Sequence, residues 1–192
     1  IFEIAIKEKK SNYSRNDFGT ILHNGRALSV GHSGKEVWGL ACNPVDPCIF
    51  ATCGDDCTVR IWHTRRKKQI NITEEGVIPT SARTVDFSSD GKSLAVGLGG
   101  IVGERRTFGY ATHAGKVLIL NFSTLEVEAV NRHAKEMISQ VRFSPDSSFI
   151  AAASLDTNVY LYQFSRNGLY LSSVLKAHLA PVLHIDFSTE GR

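Results

Sequence analysis

The feature of this sequence that most restricts its fold is an internal repeat. Four segments with alternating apolar and polar residues each end in a turn signal such as Asn-Pro, Ser-Asp-Gly or Ser-Pro-Asp. They place Cys42, Phe87, Phe143 and Phe187 in the same slot, at intervals of 45, 56 and 44 residues. Two intervals are nearly equal and the third is longer, which indicates an insertion. A repeat of this length predicts an array of similar units in which each unit packs on its neighbours.

Each repeat continues with further strand-like segments. The second segments, at 49–53, 93–97 and 149–153, are small and apolar, as expected for strands that are buried on both faces. Third strands are predicted at 58–62, 116–120 and 158–162, and more polar fourth strands at 69–72, 125–130 and 170–175. No stretch carries a convincing helical stripe. The sequence therefore predicts an all-β fold, a segment of a β-propeller with four-stranded antiparallel blades in an incomplete ring.

The repeat also predicts where the units begin and end. Three nearly complete blades are expected, with a partial blade on either side. The expected limits are 31–75, 76–131 and 132–176 for the blades, 1–30 for the end of a preceding blade and 177–192 for the start of the next. We interpret the chain as a piece of a longer protein.

Residues around the first repeat resemble the WD-repeat family. Gly31-His32 precedes its first strand, and residues 56–62 read DCTVRIW. In that family a His, a Ser or Thr hydroxyl, a turn Asp and a Trp form a hydrogen-bonded structural network inside a blade. A buried Asp needs donors, and an imidazole can supply one. The resemblance implies such a network for His32, Asp56, Trp62 and either Thr58 or Thr52, for His133, Asp156 and Tyr162 in the third repeat, and for His178 at the start of the fourth.

The second repeat departs from this pattern. Ala114 occupies its Asp slot, Leu120 occupies its Trp slot, and no His precedes its first strand. We therefore expect apolar packing alone to hold this blade. The extra length of the repeat falls at about 98–112, between its second and third strands, and long loops in compact folds are often functional.

A narrower resemblance covers nearly the whole chain. Residues 31–44 read GHSGKEVWGLACNP and residues 50–62 read FATCGDDCTVRIW. Both runs are similar to the echinoderm microtubule-associated protein-like (EMAP-like) family, and the Glu-Val-Trp-Gly-Leu-Ala run is more specific than the general WD pattern. The resemblance implies tandem propellers that bind tubulin or microtubules, a cytoplasmic location on the cytoskeleton, and protein partners.

Charge suggests where such a partner could bind. The formal net charge is only +3, too small to imply nucleic-acid binding, and no apolar run is long enough to cross a membrane. The cations are locally concentrated in a predicted turn and in the insertion, where they could attract an acidic partner such as a tubulin surface. These candidate partner-binding residues are Arg65, Arg66, Lys67, Lys68, Arg105 and Arg106.

Catalytic and metal sites find little support in the sequence. Four cysteines lie close together at 42, 48, 53 and 57, with spacings that match no zinc pattern. Cys42, Cys53 and Cys57 fall where small core residues belong, so we interpret them as buried thiols in a reducing compartment. We predict no enzyme activity, metal, cofactor or small-molecule substrate. The leading hypothesis is a microtubule-binding scaffold, and the alternative is a general WD-repeat adaptor in an unrelated multiprotein complex.

Overall fold

A computed structural model describes residues 20–23, 26–32, 36–100 and 113–191, and for residues 20–30 it describes the backbone only. Within these ranges the ordered elements are β-strands. A short antiparallel pair, β1 (Thr20–His23) and β2 (Arg26–Val30), precedes three four-stranded antiparallel sheets. The predicted all-β propeller fold is confirmed, and the described sheets do not close a ring.

Each of the three sheets is one blade, and its strands follow chain order from the inner to the outer edge. The first blade contains β3 (Val37–Cys42), β4 (Ile49–Gly54), β5 (Val59–His63) and β6 (Lys68–Ile72). The second contains β7 (Ala82–Phe87), β8 (Ser93–Leu98), β9 (Lys116–Asn121) and β10 (Val127–Arg132). The third contains β11 (Ile138–Phe143), β12 (Phe149–Ser154), β13 (Val159–Ser165) and β14 (Gly168–Leu175).

The fourth strand of the second blade begins later than the sequence predicts. The prediction began it at Leu125, but β10 starts at Val127. Leu125 is buried, with a φ of 60°, and its N–H donates to the carbonyl of Asn121 over 2.8 Å. Its apolar side chain suggested a strand, whereas the backbone at Leu125 completes the turn after β9 in the left-handed conformation.

The hydrophobic core lies between the blades. One cluster joins the facing sides of the first and second blades, and includes Ile61, Val85 and Leu94. A second joins the second and third blades, and includes Ile119 and Tyr162. The middle strands of the second and third blades are buried along most of their length, as a strand with a neighbour on both faces must be. Each blade therefore depends on the next one to cover its apolar face.

Hydrogen bonds also join the inner strands, which corrects the expectation that apolar packing alone holds the second blade. The Val141 N–H donates to the Thr84 hydroxyl over 3.2 Å, and the Phe143 N–H donates to the Asp86 carboxylate over 2.8 Å. Burial raises the pKa of Asp86, while the bond from Phe143 and the charge of Arg142 oppose that shift. Side chains on the inner strand of the second blade thus bond the backbone of the third.

The cysteines only partly follow the interpretation drawn from the sequence. All four are free thiols. Cys53 is buried, and burial raises the pKa of its thiol to about 12. Cys42 is exposed and Cys57 is half-buried, so two of the three residues interpreted as buried are not. Cys42 is the last residue of β3, on the face of that strand that points away from the second blade.

The antiparallel order of strands divides the connections between two ends of the blades. Turns between first and second strands lie at the same end as turns between third and fourth strands, which we call the hairpin end. The connections between second and third strands, and those between blades, lie at the opposite end, which we call the loop end. The N–H of Thr64 bonds the carbonyl of Cys48 at the hairpin end, and the N–H of Asp55 bonds the carbonyl of Glu36 at the loop end.

Candidate functional site

Two groups of side chains predicted from the sequence lie at opposite ends of the first blade. The His–Asp–Trp group is at the loop end, around the turn between β4 and β5. The basic run is at the hairpin end, in the turn between β5 and β6. The first is a buried hydrogen-bonded network and the second is a solvent-exposed charge cluster, so they differ in what they can do chemically.

In the first blade, the structure brings His32, Thr52, Asp56, Thr58 and Trp62 into one network. The indole N–H of Trp62 donates to the Thr52 hydroxyl over 2.8 Å, and Nε2 of His32 lies 2.8 Å from the same oxygen. Nδ1 of His32 lies 2.8 Å from Oδ1 of Asp56, which also accepts the Thr58 hydroxyl over 2.8 Å. A carboxylate only accepts hydrogen bonds, so Nδ1 carries the proton, and in the neutral imidazole Nε2 then accepts from the Thr52 hydroxyl. Both threonines that the sequence left as alternatives therefore belong to the network.

Arg60 is a member of this network that sequence reasoning missed. One guanidinium nitrogen lies 3.3 Å from Oδ2 of Asp56, Nε donates to the Thr58 hydroxyl over 3.2 Å, and a third nitrogen donates to Gln69 over 2.9 Å. The side chains of Asp56 and Arg60 are only 3% and 8% exposed. An arginine in an alternating strand normally indicates a solvent-facing position, and only its four-residue separation from Asp56 could have suggested an ion pair.

The third blade departs from the network that the resemblance implied. His133 is exposed and bonds no atom of Asp156; its ring lies 5.8 Å from the ring of Tyr162. Tyr162 is buried, and its hydroxyl makes no side-chain hydrogen bond among the described residues. Asp156 accepts instead from the Tyr160 hydroxyl over 2.8 Å and from the N–H of Lys135 over 2.7 Å. His133 is not needed as a donor in the third blade, because the Tyr160 hydroxyl donates to Asp156 as His32 donates to Asp56 in the first blade.

The pKa shifts of Asp156 and Tyr160 agree with these hydrogen bonds. Burial raises the pKa of Asp156, but bonds from Lys135, Tyr160 and Asn158 outweigh burial, so the pKa lies below its usual value. Burial and the bond to Asp156 raise the pKa of Tyr160 to about 12. The carboxylate is therefore stabilised in its charged form by donors from its own blade.

Tyr160→Phe in the complete propeller is expected to lower the free energy of unfolding by about 1–2 kcal/mol, because it removes a hydrogen bond to a charged group. The matched control is His133→Ala, which is expected to change it by less than about 0.5 kcal/mol, since His133 is exposed. Urea denaturation of both variants measures the two values. A larger loss for His133→Ala than for Tyr160→Phe would contradict the assignment of the donor.

The second blade and the partial fourth repeat contain no such network among their described residues. Ala114 and Leu120 stand in the Asp and Trp slots, and Leu120 is buried in the core between the first and second blades. His178 is exposed in the segment after β14, and no hydrogen bond of its side chain is present within the described ranges. The structure therefore does not join His178 to a network.

The basic run is exposed at the hairpin end of the first blade. Arg65, Arg66 and Lys67 occupy the turn, and Lys68 begins β6 opposite His63. Lys67 has a φ of 50°, which lets the chain reverse within a short turn. No acidic side chain of the described residues forms an ion pair with Arg65, Arg66 or Lys68. Arg105 and Arg106, the other candidate cations, lie outside the described residues.

Within the described ranges there is neither a metal site nor a membrane-spanning helix. No group of three or more His, Cys, Asp or Glu side chains there is arranged to hold a metal ion. No described helix is long and apolar enough to cross a membrane.

Comparison with known proteins agrees with the fold and the repeat. A chain of the crystal structure of the mitotic checkpoint complex superposes with a TM-score of 0.68 at 24% identity, over 85% of this chain and 46% of that chain. At this identity, the similarity shows the fold alone.

Sequence relatives carry more specific names. The chain is 30% identical over 172 residues to human echinoderm microtubule-associated protein-like 2. The aligned region covers 88% of this chain and 24% of the relative. It is 29% identical over 161 residues to the 77 kDa echinoderm microtubule-associated protein of Strongylocentrotus purpuratus, over 82% of this chain and 21% of the relative. The chain thus spans about a quarter of the length of these relatives.

A family model is matched over most of the chain. The model describes the second β-propeller of echinoderm microtubule-associated proteins, and it matches residues 37–192. The match includes all three described blades. It confirms the resemblance that the sequence motifs indicated, and the chain belongs to the echinoderm microtubule-associated protein family.

Proposed function

We propose that this chain is part of a non-enzymatic scaffold that binds microtubules through tubulin, and that the basic run of the first blade contributes to the contact. The relatives are named as microtubule-associated proteins, which supports the general role. The proposal divides the chain into the blades 31–75, 76–131 and 132–176, and it places the protein in the cytoplasm on the cytoskeleton.

The observation that carries the proposed contact is a cluster of four consecutive exposed cations at one end of a rigid blade, Arg65 to Lys68. The turn is fixed at its base, because the Thr64 N–H bonds the carbonyl of Cys48 over 2.8 Å and the Lys67 N–H bonds the carbonyl of Thr64 over 3.2 Å. A rigid turn loses little conformational entropy on binding. Its charge would attract an acidic protein surface and would speed the encounter, in a way that salt weakens.

Reversing these charges is expected to weaken microtubule binding. The full-length protein with Arg65→Glu, Arg66→Glu, Lys67→Glu and Lys68→Glu should bind with a Kd raised at least about tenfold, because attraction is replaced by repulsion. Co-sedimentation with microtubules at several salt concentrations measures this Kd. Binding of the unchanged protein should fall as salt rises, and the variant should depend less on salt.

A control variant reverses two exposed cations at the loop end, with Lys135→Glu and Lys176→Glu, for comparison with the double variant Arg65→Glu and Arg66→Glu, and it should leave the Kd within about twofold. If the fourfold variant pellets as well as the unchanged protein, the basic run is not part of the contact. Recovery of a tubulin-free complex from cells, without pelleting of the full-length protein, would favour the general adaptor role instead.

A further inference from the structure

The hairpin at the outer edge of the third blade carries an exposed Asn-Gly pair at its tip. Strands β13 and β14 are joined by a short turn in which Asn167 precedes Gly168, and Ser165 pairs with Gly168 across it. Asn167 is exposed, and its side-chain amide forms no hydrogen bond with a described residue. The tip lies at the hairpin end beside the second blade, since Nδ2 of Asn131 donates to the carbonyl of Leu169 over 3.0 Å. The neighbours of the tip on this side are therefore described.

An asparagine side chain that precedes glycine can react with its own backbone. The backbone nitrogen of Gly168 can attack Cγ of Asn167 and close a five-membered ring. Glycine favours this attack, because no Cβ stands beside the nitrogen. Gly168 has a φ of 128°, and the nearest atom beyond its chain neighbours to a Cβ built on it is the Tyr170 hydroxyl oxygen, at 3.6 Å. The space beside the attacking nitrogen is therefore open, with one polar group near it.

Tyr170 bonds the peptide group that must lose its proton. Its hydroxyl donates to the carbonyl oxygen of Asn167 over 2.7 Å, and that carbonyl shares one peptide group with the nitrogen of Gly168. The nitrogen attacks after it has lost its proton, and resonance then places negative charge on the carbonyl oxygen. A hydrogen bond to a charged form favours that form. Arg166, the preceding residue, adds an exposed cation that acts in the same direction. The hairpin thus stabilises the reactive anion where it forms.

The peptide group at the tip is accessible to water. Asn167 and Gly168 line an open groove of about 370 Å³ between the hairpin and the outer strand of the second blade. Glu128 and Ala129 of β10 line the same groove. The groove therefore has room for the water that a ring-opening step consumes and for the ammonia that ring closure releases.

We propose that Asn167 is a site of spontaneous covalent modification, at which Gly168 closes a succinimide that water opens to aspartate or isoaspartate, and that Tyr170 accelerates the closure. The bond between the Gly168 nitrogen and Cγ of Asn167 forms, and the bond between Cγ and Nδ2 breaks. Nδ2 leaves as ammonia, with the proton that the peptide nitrogen lost. Water then adds at Cγ to give aspartate, or at the backbone carbonyl carbon to give isoaspartate. The two steps together consume one water and release one ammonia.

The two products change the blade differently. Aspartate adds one negative charge to a groove that already holds Glu128. Isoaspartate also inserts a CH₂ group into the backbone between residues 167 and 168, so the turn no longer matches the strand pairing on either side of it. Leu169, next to the altered link, accepts the hydrogen bond from Asn131. Isoaspartate is therefore expected to weaken the contact between the second and third blades.

Ageing of the purified full-length protein tests the proposal. The protein is incubated at neutral and at mildly alkaline pH, and its peptides are mapped by mass spectrometry after digestion at acidic pH, where closure is slow. Isoaspartate is counted separately with an isoaspartyl methyltransferase, which methylates it and leaves aspartate unchanged. We expect conversion at Asn167, faster at the higher pH because the nitrogen must lose its proton. Asn71 and Asn131, which precede Ile72 and Arg132, should convert far less over the same time.

Tyr170→Phe isolates the hydrogen bond, since it keeps the ring and removes the hydroxyl. In the full-length protein this variant should convert Asn167 about fivefold more slowly, the rate effect of one hydrogen bond. Loosening of the hairpin would instead speed conversion, because a mobile turn reaches the reactive geometry more often. In a synthetic peptide of residues 163–173, where the fold is absent, the substitution should change the rate by less than about twofold. The second Asn-Gly pair of the sequence, Asn24-Gly25, lies outside the described residues and is scored as a separate peptide.

Three results would overturn the proposal. The first is an unmodified Asn167 in aged protein under conditions that convert the synthetic peptide. The second is a rate at Asn167 that does not rise with pH, which would exclude attack by the deprotonated nitrogen. The third is conversion of Tyr170→Phe as fast as the unchanged protein or faster, with thermal unfolding showing that the variant is folded. Each measurement is made without microtubules, so its outcome is independent of the proposed contact through the basic run.

Discussion

Replacing Asp56 with alanine is expected to lower the free energy of unfolding of the complete propeller by about 3–5 kcal/mol, because it leaves a buried ion pair without its anion. The Asp56 carboxylate bonds His32, Thr58 and Arg60, and the side chains of Asp56 and His32 are only 3% and 5% exposed. Removing the carboxylate leaves the buried Arg60 guanidinium without an anion and the His32 Nδ1–H without its acceptor. The loss should therefore exceed that of an ordinary hydrogen bond.

The neighbouring residue supplies a matched control. Asp55→Ala removes the same chemical group from the same turn, but Asp55 faces Arg83 at 3.7 Å without a hydrogen bond. We expect a loss of about 1 kcal/mol or less for Asp55→Ala. Chemical denaturation of both variants in the complete propeller gives the comparison. Equal losses at the two positions would mean that the network does not hold the first blade.

The repeat made the fold predictable, because four strands recur with the same alternation and the same turn residues. The position of each inner strand follows from the slot shared by Cys42, Phe87 and Phe143. In contrast, the boundary error at Leu125 arose because an apolar residue can fill the core from a turn as well as from a strand. The periodicity of apolar residues predicts which side chains are buried, but it does not predict the backbone φ angle at each of them.

The network of the first blade could be approached from the sequence through the pattern of His32, Asp56 and Trp62. Arg60 and Tyr160 could not, because each lies in an alternating strand where a polar or aromatic residue has several possible roles. Whether a given donor reaches a carboxylate depends on distances of a few tenths of an ångström across two strands. The β-bulge at the start of each inner strand could not be predicted either, because a bulge is a property of strand pairing that no residue type marks in the sequence.

In the first two blades, a glycine lies opposite a larger residue where the inner strand pairs with the second strand. The glycine is on the inner strand in the first blade and on the second strand in the second blade. In the first blade Gly39 pairs with Cys53, and in the second the equivalent positions hold Thr84 and Gly97. A Cβ on Gly39 would overlap Sγ of Cys53 and would lie 3.0 Å from the N of Val85. A Cβ on Gly97 would lie 2.5 Å from Cγ2 of Ile138 on the next inner strand and 2.6 Å from Cγ2 of Thr84. In both pairs the glycine therefore leaves room for the side chain of its partner, and in the second blade for Ile138 as well.

Gly39→Thr is therefore expected to destabilise the complete propeller by about 3 kcal/mol or more, through overlap with Cys53 and the adjacent inner strand. Cys53→Gly alone should cost about 1–2 kcal/mol, through lost packing and a freer unfolded backbone. The double variant recreates the Thr–Gly pair of the second blade, so its loss should fall below the sum of the single losses by at least about 1 kcal/mol. Gly100→Thr, where a Cβ meets no atom of the described residues within 4 Å, is the control for the change of residue type, with an expected loss below about 0.5 kcal/mol. Denaturant titrations of the four variants measure the coupling; additive losses would show that Cys53 does not fill the space that Gly39 leaves.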